Sequence, residues 1–484
     1  MRAARGLGGV VAFACAIALA PVALAGSAPA ARVGETGDVD GREADAAVEA
    51  YDPFAGIDQD GRIPGVARPS DLPNPERWRY IPEGRIKPGN MLERFLVSSF
   101  FAPFFTQDED VGTGFGVAIT DIDFRQRRRR EFAGIFLSYS TEGEQDYSIV
   151  WQRWLHHVER AGGGVFQEER SRVRVSAGYE KTLTKRFFGF GPATKERQET
   201  SYEDEEFEVD VGLQIAWPEP GDDLILGGGV RASFHELAGG AISDVPQTNC
   251  GPVRADPTTP TNPGGNCFPS VFAEAEHANL GWLYSEIRYD TRDSQANPYR
   301  GWTLGASIDF APLQSGGDVG ARYSLGGSIV FPMPGLFHHG AVGDEEHPPT
   351  DTVAFGADLR LSSGDLPFFE RPALGGRNRL RGFIDGRFRD DAAWWAGAEY
   401  RFWVLPRGFA IPFTRALRVE RVGLAPFYEV GSVGGGLRDL ANNRVHHSYG
   451  VGLRITLERQ APFRVDVGFS DEDTIVIARF GLPF

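Results

Sequence analysis

The residues best equipped for chemistry lie in Pro372-Ala-Leu-Gly-Gly-Arg-Asn-Arg-Leu-Arg-Gly-Phe383. Three arginines within five positions can grip carboxylates bidentately, and the glycines beside them allow tight backbone turning. The segment is too basic and too rich in glycine to be a strand, yet the runs on both sides alternate apolar and polar residues. Two readings follow. It is a solvated basic loop, or it folds back into the polar lumen of a barrel, where Arg381 pairs with carboxylates on neighbouring strands. Spacing alone leaves both open.

The signatures of several common enzyme and nucleotide-binding classes are absent. There is no Gly-x-Ser-x-Gly elbow, no His-Glu-x-x-His, no Walker loop and no dinucleotide fingerprint in its proper context, so neither enzymatic activity nor a cofactor is expected. The pairs His156-His157, His338-His339 and His446-His447 read as solvated turn residues, and no metal site is expected. A net charge of −16 argues against nucleic acid as a partner. Gly at 61 residues and Phe at 35 stand above ordinary usage.

The address is written in the first residues. Arg2 and Arg5 precede an apolar run from Leu7 to Leu19 and a small-residue cleavage site at Ala23-Leu24-Ala25, so residues 1–25 read as a secretory signal. Cys250 and Cys267 then remain in one polar loop, where an exported compartment permits a disulfide that stabilises by roughly 3 kcal/mol. No later apolar run reaches the roughly 18 residues a spanning helix needs, so any membrane crossing must use strands.

Residues 26–90 are acidic and rich in Ala, Pro and Gly, and read as a flexible arm on the periplasmic side. Residues 91–110 contain Met91-Leu-Glu-Arg-Phe-Leu-Val-Ser-Ser-Phe-Phe-Ala-Pro103, readable as an amphipathic helix stopped by its proline. It would be a packing segment under a barrel or a plug inside it.

Residues 111–484 have period two. Segments such as Gly114–Ile122, Phe132–Tyr139, Tyr147–Trp154, Arg172–Tyr179 and Phe207–Ile215 have about the length a tilted strand needs to cross a bilayer. The same alternation would serve a soluble sandwich. The signal peptide, the aromatics at strand ends and the large number of strands favour an all-β fold, a single transmembrane antiparallel β-barrel. Fifteen segments can be marked; single-chain bacterial barrels have an even number, so sixteen are expected. The Cys-containing insert between Phe234 and Leu280 is too long for a periplasmic turn. An odd number of strands must then precede it, which places the missing one upstream, around Phe187–Tyr202. Eleven strands precede the opening segment and five follow.

Leu374-Gly-Gly-Arg-Asn-Arg-Leu-Arg-Gly-Phe383 resembles the loop-six signature of the bacterial surface antigen superfamily, the outer-membrane assembly and translocation barrels. Its most specific part is Leu380-Arg381-Gly382-Phe383. Gly397-Ala-Glu-Tyr-Arg-Phe402, Pro426-Phe-Tyr-Glu-Val-Gly-Ser432, Ser448-Tyr-Gly-Val-Gly-Leu-Arg454 and a final Phe484 follow in the family's order. The resemblance implies that Arg381 bonds inside the lumen to Glu399 and Glu429, the latter standing where the family usually has Asp. It also implies that Phe484 is the C-terminal aromatic recognised on insertion; a membrane-girdle role is the plain alternative.

Family members carry periplasmic domains that bind client polypeptide, and residues 26–90 show no pattern that would build one. The resemblance therefore implies a member without them, integral to the bacterial outer membrane and in contact with lipid and lipopolysaccharide. Arg127-Arg-Arg-Arg130 could meet lipopolysaccharide phosphates or be a solvated turn. The implied function is insertion or translocation of polypeptide or lipid, with client polypeptides or an accessory protein as partners. A gated or passive channel and a structural accessory barrel are the alternatives.

Overall fold

The computed structural model describes residues 55–82, 100–108, 112–122, 130–160, 163–242, 245–251, 267–410, 418–457 and 461–484. The sixteen barrel strands are, in chain order, β1 (Phe100–Asp108), β2 (Gly112–Ile122), β3 (Glu131–Ser140), β4 (Gln145–Trp154), β5 (Arg172–Phe187), β6 (Thr200–Trp217), β7 (Leu224–Gly239) and β8 (His277–Asp290). They continue with β9 (Gly301–Gln314), β10 (Gly320–Met333), β11 (Asp351–Gly364), β12 (Ala392–Leu405), β13 (Arg418–Gly434), β14 (His446–Leu457), β15 (Ala461–Phe469) and β16 (Thr474–Phe480). Each pairs antiparallel with the next, and the sheet closes into a barrel. No described helix is long and apolar enough to cross a membrane.

The direction of the apolar face separates a membrane barrel from a sandwich. Leu283 and Ile287 on β8 and Leu304 on β9 are each more than half exposed on the outer surface. On β8, the alternate position Trp282 is buried instead. A soluble sandwich would bury its aliphatic stripe; here it faces the bilayer.

The missing strand is indeed upstream of the insert, but at Phe100–Asp108 and not around Phe187–Tyr202, where a loop with a single 3-10 turn joins β5 to β6. The residues from Phe100 onward thus form neither helix nor plug, and the barrel starts there. Aromatic residues favour extended backbone, and a proline that would end a helix is tolerated in a strand at a sheet's margin. Pro103 pairs in register with Val117. The part of the expected helix before Phe100 lies outside the described residues, as do the signal segment and most of Arg127–Arg130.

Strand length is uneven. β6 has 18 residues, β15 and β1 have 9 each, and β16 has 7.

The expected flexible arm is ordered over residues 55–82. Trp78–Ile81 pairs with Val165–Glu168, which pairs in turn with His157–Glu159, making a small sheet beside the β4–β5 turn. Leu72, Trp78 and Phe166 form a buried cluster. Asn74 donates to Asp222 at 2.7 Å in the β6–β7 turn, and Arg77 reaches Asp223 at 2.9 Å and the carbonyl of Thr291 at 3.1 Å. Farther back, Gly65 donates to the Asp344 carbonyl at 3.1 Å, and Gly61 lies against the carbonyl of Arg407. Composition suggested disorder because so little of this stretch is apolar. Pairing with the barrel's turns supplies the apolar contact and hydrogen bonds it lacks alone.

At the opposite end, Cys250 and Cys267 are disulfide-bonded. The insert continues into α1 (Pro269–Ala275), whose Phe272 and Ala275 pack with Phe187, Tyr202, Leu237 and Phe368. Phe368 belongs to the connection from β11 to β12, so the insert leans on that loop.

Candidate functional site

The β11–β12 connection enters the barrel. Its base is a two-residue pairing of Ala373–Leu374 with Phe388–Arg389. Beyond it the chain turns at Gly375 and Gly376, whose φ angles of 105° and 94° suit glycine. Leu380 adopts φ 50°, a left-handed conformation that costs a branched side chain of order 1–3 kcal/mol. Compensation comes from packing: Leu380 is fully buried with Leu374, Phe383, Phe388, Ala393, Trp395 and Val433. The loop thus brings its own apolar core into the lumen and presents Arg381 to the wall.

Arg381 is fully buried. Its backbone N–H donates to Glu429 Oε2 at 2.7 Å and its Nε to Glu429 Oε1 at 3.1 Å. Its Nη1 donates to Glu399 Oε2 at 3.0 Å and to Asp466 Oδ2 at 2.9 Å. The guanidinium carbon lies 3.6 Å from the centroid of the Phe427 ring, a cation–π contact. Burial, the largest influence on this group, disfavours its charge. The carboxylates of Glu429, Glu399 and Asp466 outweigh burial and hold its pKa above the ordinary arginine value.

The carboxylates are themselves held by other arginines. Arg454 binds Asp466 at 2.6 Å and Glu399 at 2.9 Å, and Arg401 binds Glu399 at 2.9 Å. Arg464 pairs with Asp466 and reaches back to the Arg377 carbonyl at 2.5 Å and to Asn378 Oδ1 at 2.6 Å. Ser448 donates to Glu429 at 3.0 Å. Four arginines thus surround three carboxylates, and ion pairs join loop to wall across β12 to β15. Taking such ions out of water is costly, so the network survives only because almost every oxygen is paired. Its geometric value is to fix one loop position.

The sequence reading named Arg381, Glu399 and Glu429, and the structure brings these three together. Arg401, Ser448 and Arg454 lie in motifs that carry the resemblance but have no role assigned there, and Asp466 and Arg464 were not singled out. The signal for two of them was present: in Arg464-Val-Asp-Val-Gly468, Arg464 and Asp466 share one strand face.

Close approach explains Gly382. A Cβ there would collide with the Phe469 carbonyl, and one on Gly468 would collide with the Arg381 carbonyl. Phe383 packs edge-on against Phe388, with ring centroids 5.1 Å apart. Arg387 ties the loop to Glu472 in the β15–β16 turn at 2.8 Å and to the Thr194 carbonyl at 2.8 Å.

Phe484 does not lie in a membrane girdle. Its ring sits 5.3 Å from that of Trp395, under the guanidinium of Arg401, and Arg401 Nη2 donates to its main-chain oxygen at 3.1 Å. The residues after β16 turn inward, where glycine at 356 leaves room for the ring. The histidine pairs also depart from expectation. His446 is buried against Phe388 and bonds the Pro192 carbonyl at 2.8 Å, and His338 bonds Asp351 at 2.9 Å.

A protein-family model described as the Omp85 superfamily domain matches residues 165–482. Among solved structures, BamA from Haemophilus ducreyi lacking POTRA domains 1-3 aligns with a TM-score of 0.44 at 12% identity, over 78% of this chain and 68% of that one. CdiB from Acinetobacter baumannii aligns with a TM-score of 0.40 at 12% identity, over 79% of this chain and 58% of that one. The chain therefore spans little more than half of the second protein. No curated protein matches it.

Proposed function

This chain belongs to the Omp85 superfamily of outer-membrane β-barrels, and from that premise we propose that it inserts or translocates polypeptide at the outer membrane. The observation that carries the reading is the anchoring of Arg381 to Glu399, Glu429 and Asp466. Those residues stand on β12, β13 and β15, the wall that ends at the seven-residue β16. A loop fixed there can brace the last strands while the short β16 and the nine-residue β1 separate. Their freed N–H and C=O groups then form a template on which an incoming strand can pair. Client polypeptide is the partner on this reading, the arm lies in the periplasm, and the inward loop enters from the cell exterior.

Cysteine crosslinks joining β1 to β16 test it. Outer-membrane insertion of other barrels should stop in the crosslinked form and resume on reduction. A crosslinked protein that works normally, or a deletion strain with an unaltered outer-membrane proteome, refutes the proposal. Steady ion conductance in planar bilayers, unaffected by the crosslink, points instead to a channel.

A further inference from the structure

Away from the Arg381 network, the lumen wall carries a second polar cluster on β6 and β7. His235 stands directly across the ladder from Glu206, and Asp204 is two residues before Glu206 on the same face. The three side chains offer ligand atoms within 4.8 Å of one another.

The two edges of the imidazole differ. Asp204 Oδ1 lies 3.1 Å from His235 Nδ1; with the proton on Nδ1 this hydrogen bond leaves the Nε2 lone pair available to a metal. The His235 side chain is only 3% exposed, yet Nε2 has no hydrogen-bond partner. It faces Glu206 Oε1 across 3.8 Å. That separation is too wide for a hydrogen bond. An ion bound at about 2.1 Å from each ligand in tetrahedral geometry sets the two roughly 3.4 Å apart, close to the distance found. Ligating histidines typically give their other nitrogen to a carboxylate, the place Asp204 occupies.

The surroundings fit a bound cation. Phe369, from the inward loop, covers the imidazole with ring centroids 4.6 Å apart, and Glu206 remains 24% exposed, so lumen water can complete the coordination. Lys185 Nζ lies 3.8 Å from Asp204 Oδ2 and 3.9 Å from Glu180, a positive charge that weakens binding without occupying the gap between His235 and Glu206. One imidazole and one carboxylate suit zinc and its transition-metal neighbours better than calcium, which takes six to eight oxygens.

We infer that Glu206 and His235, with Asp204 orienting the imidazole, bind one divalent transition-metal ion of the zinc class on the lumen wall beneath the inward loop. The test uses the full chain purified in detergent, stripped with chelator and titrated with Zn²⁺ and Co²⁺. Saturable binding of one ion per chain is expected, with visible Co²⁺ absorption. His235→Asn should abolish it, and Asp204→Asn should weaken it about 10–100-fold. Heat-dependent gel mobility reports whether each variant folds; Glu206→Gln, at a partly exposed position, decides the matter if His235→Asn misfolds. No saturable binding overturns the inference. So does binding that survives the variants at His235 and Glu206, or that disappears only when His156 and His157 are replaced.

Discussion

Gly382 passes so close to Phe469 that a Cβ on the glycine would overlap the phenylalanine carbonyl. Loop and wall touch there through backbone, which cannot yield as a flexible side chain can. Gly382→Ala should therefore displace the loop while the barrel persists. Limited proteolysis should cut within residues 372–383 in the variant and not in the parent, with heat-dependent gel mobility unchanged. Equal protection in both proteins contradicts the contact.

Replacing Arg381 by Ala leaves three carboxylates facing one another with one fewer cation, a change that costs about 3–5 kcal/mol for a buried pair. Arg381→Lys keeps the charge but loses the planar fork, so it should rescue only partly. Unfolding of the loop, followed by a fluorophore at a single introduced cysteine, reports the order parent, Lys, Ala. Double-mutant cycles of Arg381 with Glu399, Glu429 and Asp466 should each show strong coupling, and additive effects at all three would rule out direct pairing.

The Cys250–Cys267 bridge closes a loop with a sequence separation of 17. Converting both residues to Ser should lower the local stability of the insert by about 3 kcal/mol. Protease should then reach residues 240–276 at a lower temperature, with the barrel's own melting unaltered. Because Phe272 leans on Phe368, the inward loop should loosen with it.

Trp78 anchors the ordered arm in a cluster with Leu72 and Phe166. Trp78→Ala should cost about 3–5 kcal/mol at that contact. Residues 55–82 should then exchange amide hydrogens quickly, which mass spectrometry can follow, while β5 to β13 exchange as slowly as before.

Most of the barrel is legible in the sequence because lipid imposes a strict code: Leu283, Ile287 and Leu304 must alternate with residues that face the lumen. β1 escaped because Pro103 ends a helix as readily as it marks a marginal strand, and only the neighbour at Val117 decides between them. The arm escaped because its stability resides in other segments, as when Asn74 bonds Asp222 far along the chain. Asp466 was missed for a related reason. Alternation puts it on a face, but the level at which it meets Arg381 depends on the register of β13, β14 and β15, which no single strand encodes.

The arm described above fastens in turn to the β12–β13, β10–β11, β8–β9, β6–β7 and β4–β5 turns. Such lacing works as a hoop on one rim. From β4 round to β13 it ties neighbouring turns together, so widening along that arc has to break these contacts. A change of girth that keeps them intact falls in the remaining arc, which contains both chain-terminal strands. Cutting the hoop should let the strain spread evenly around the circumference.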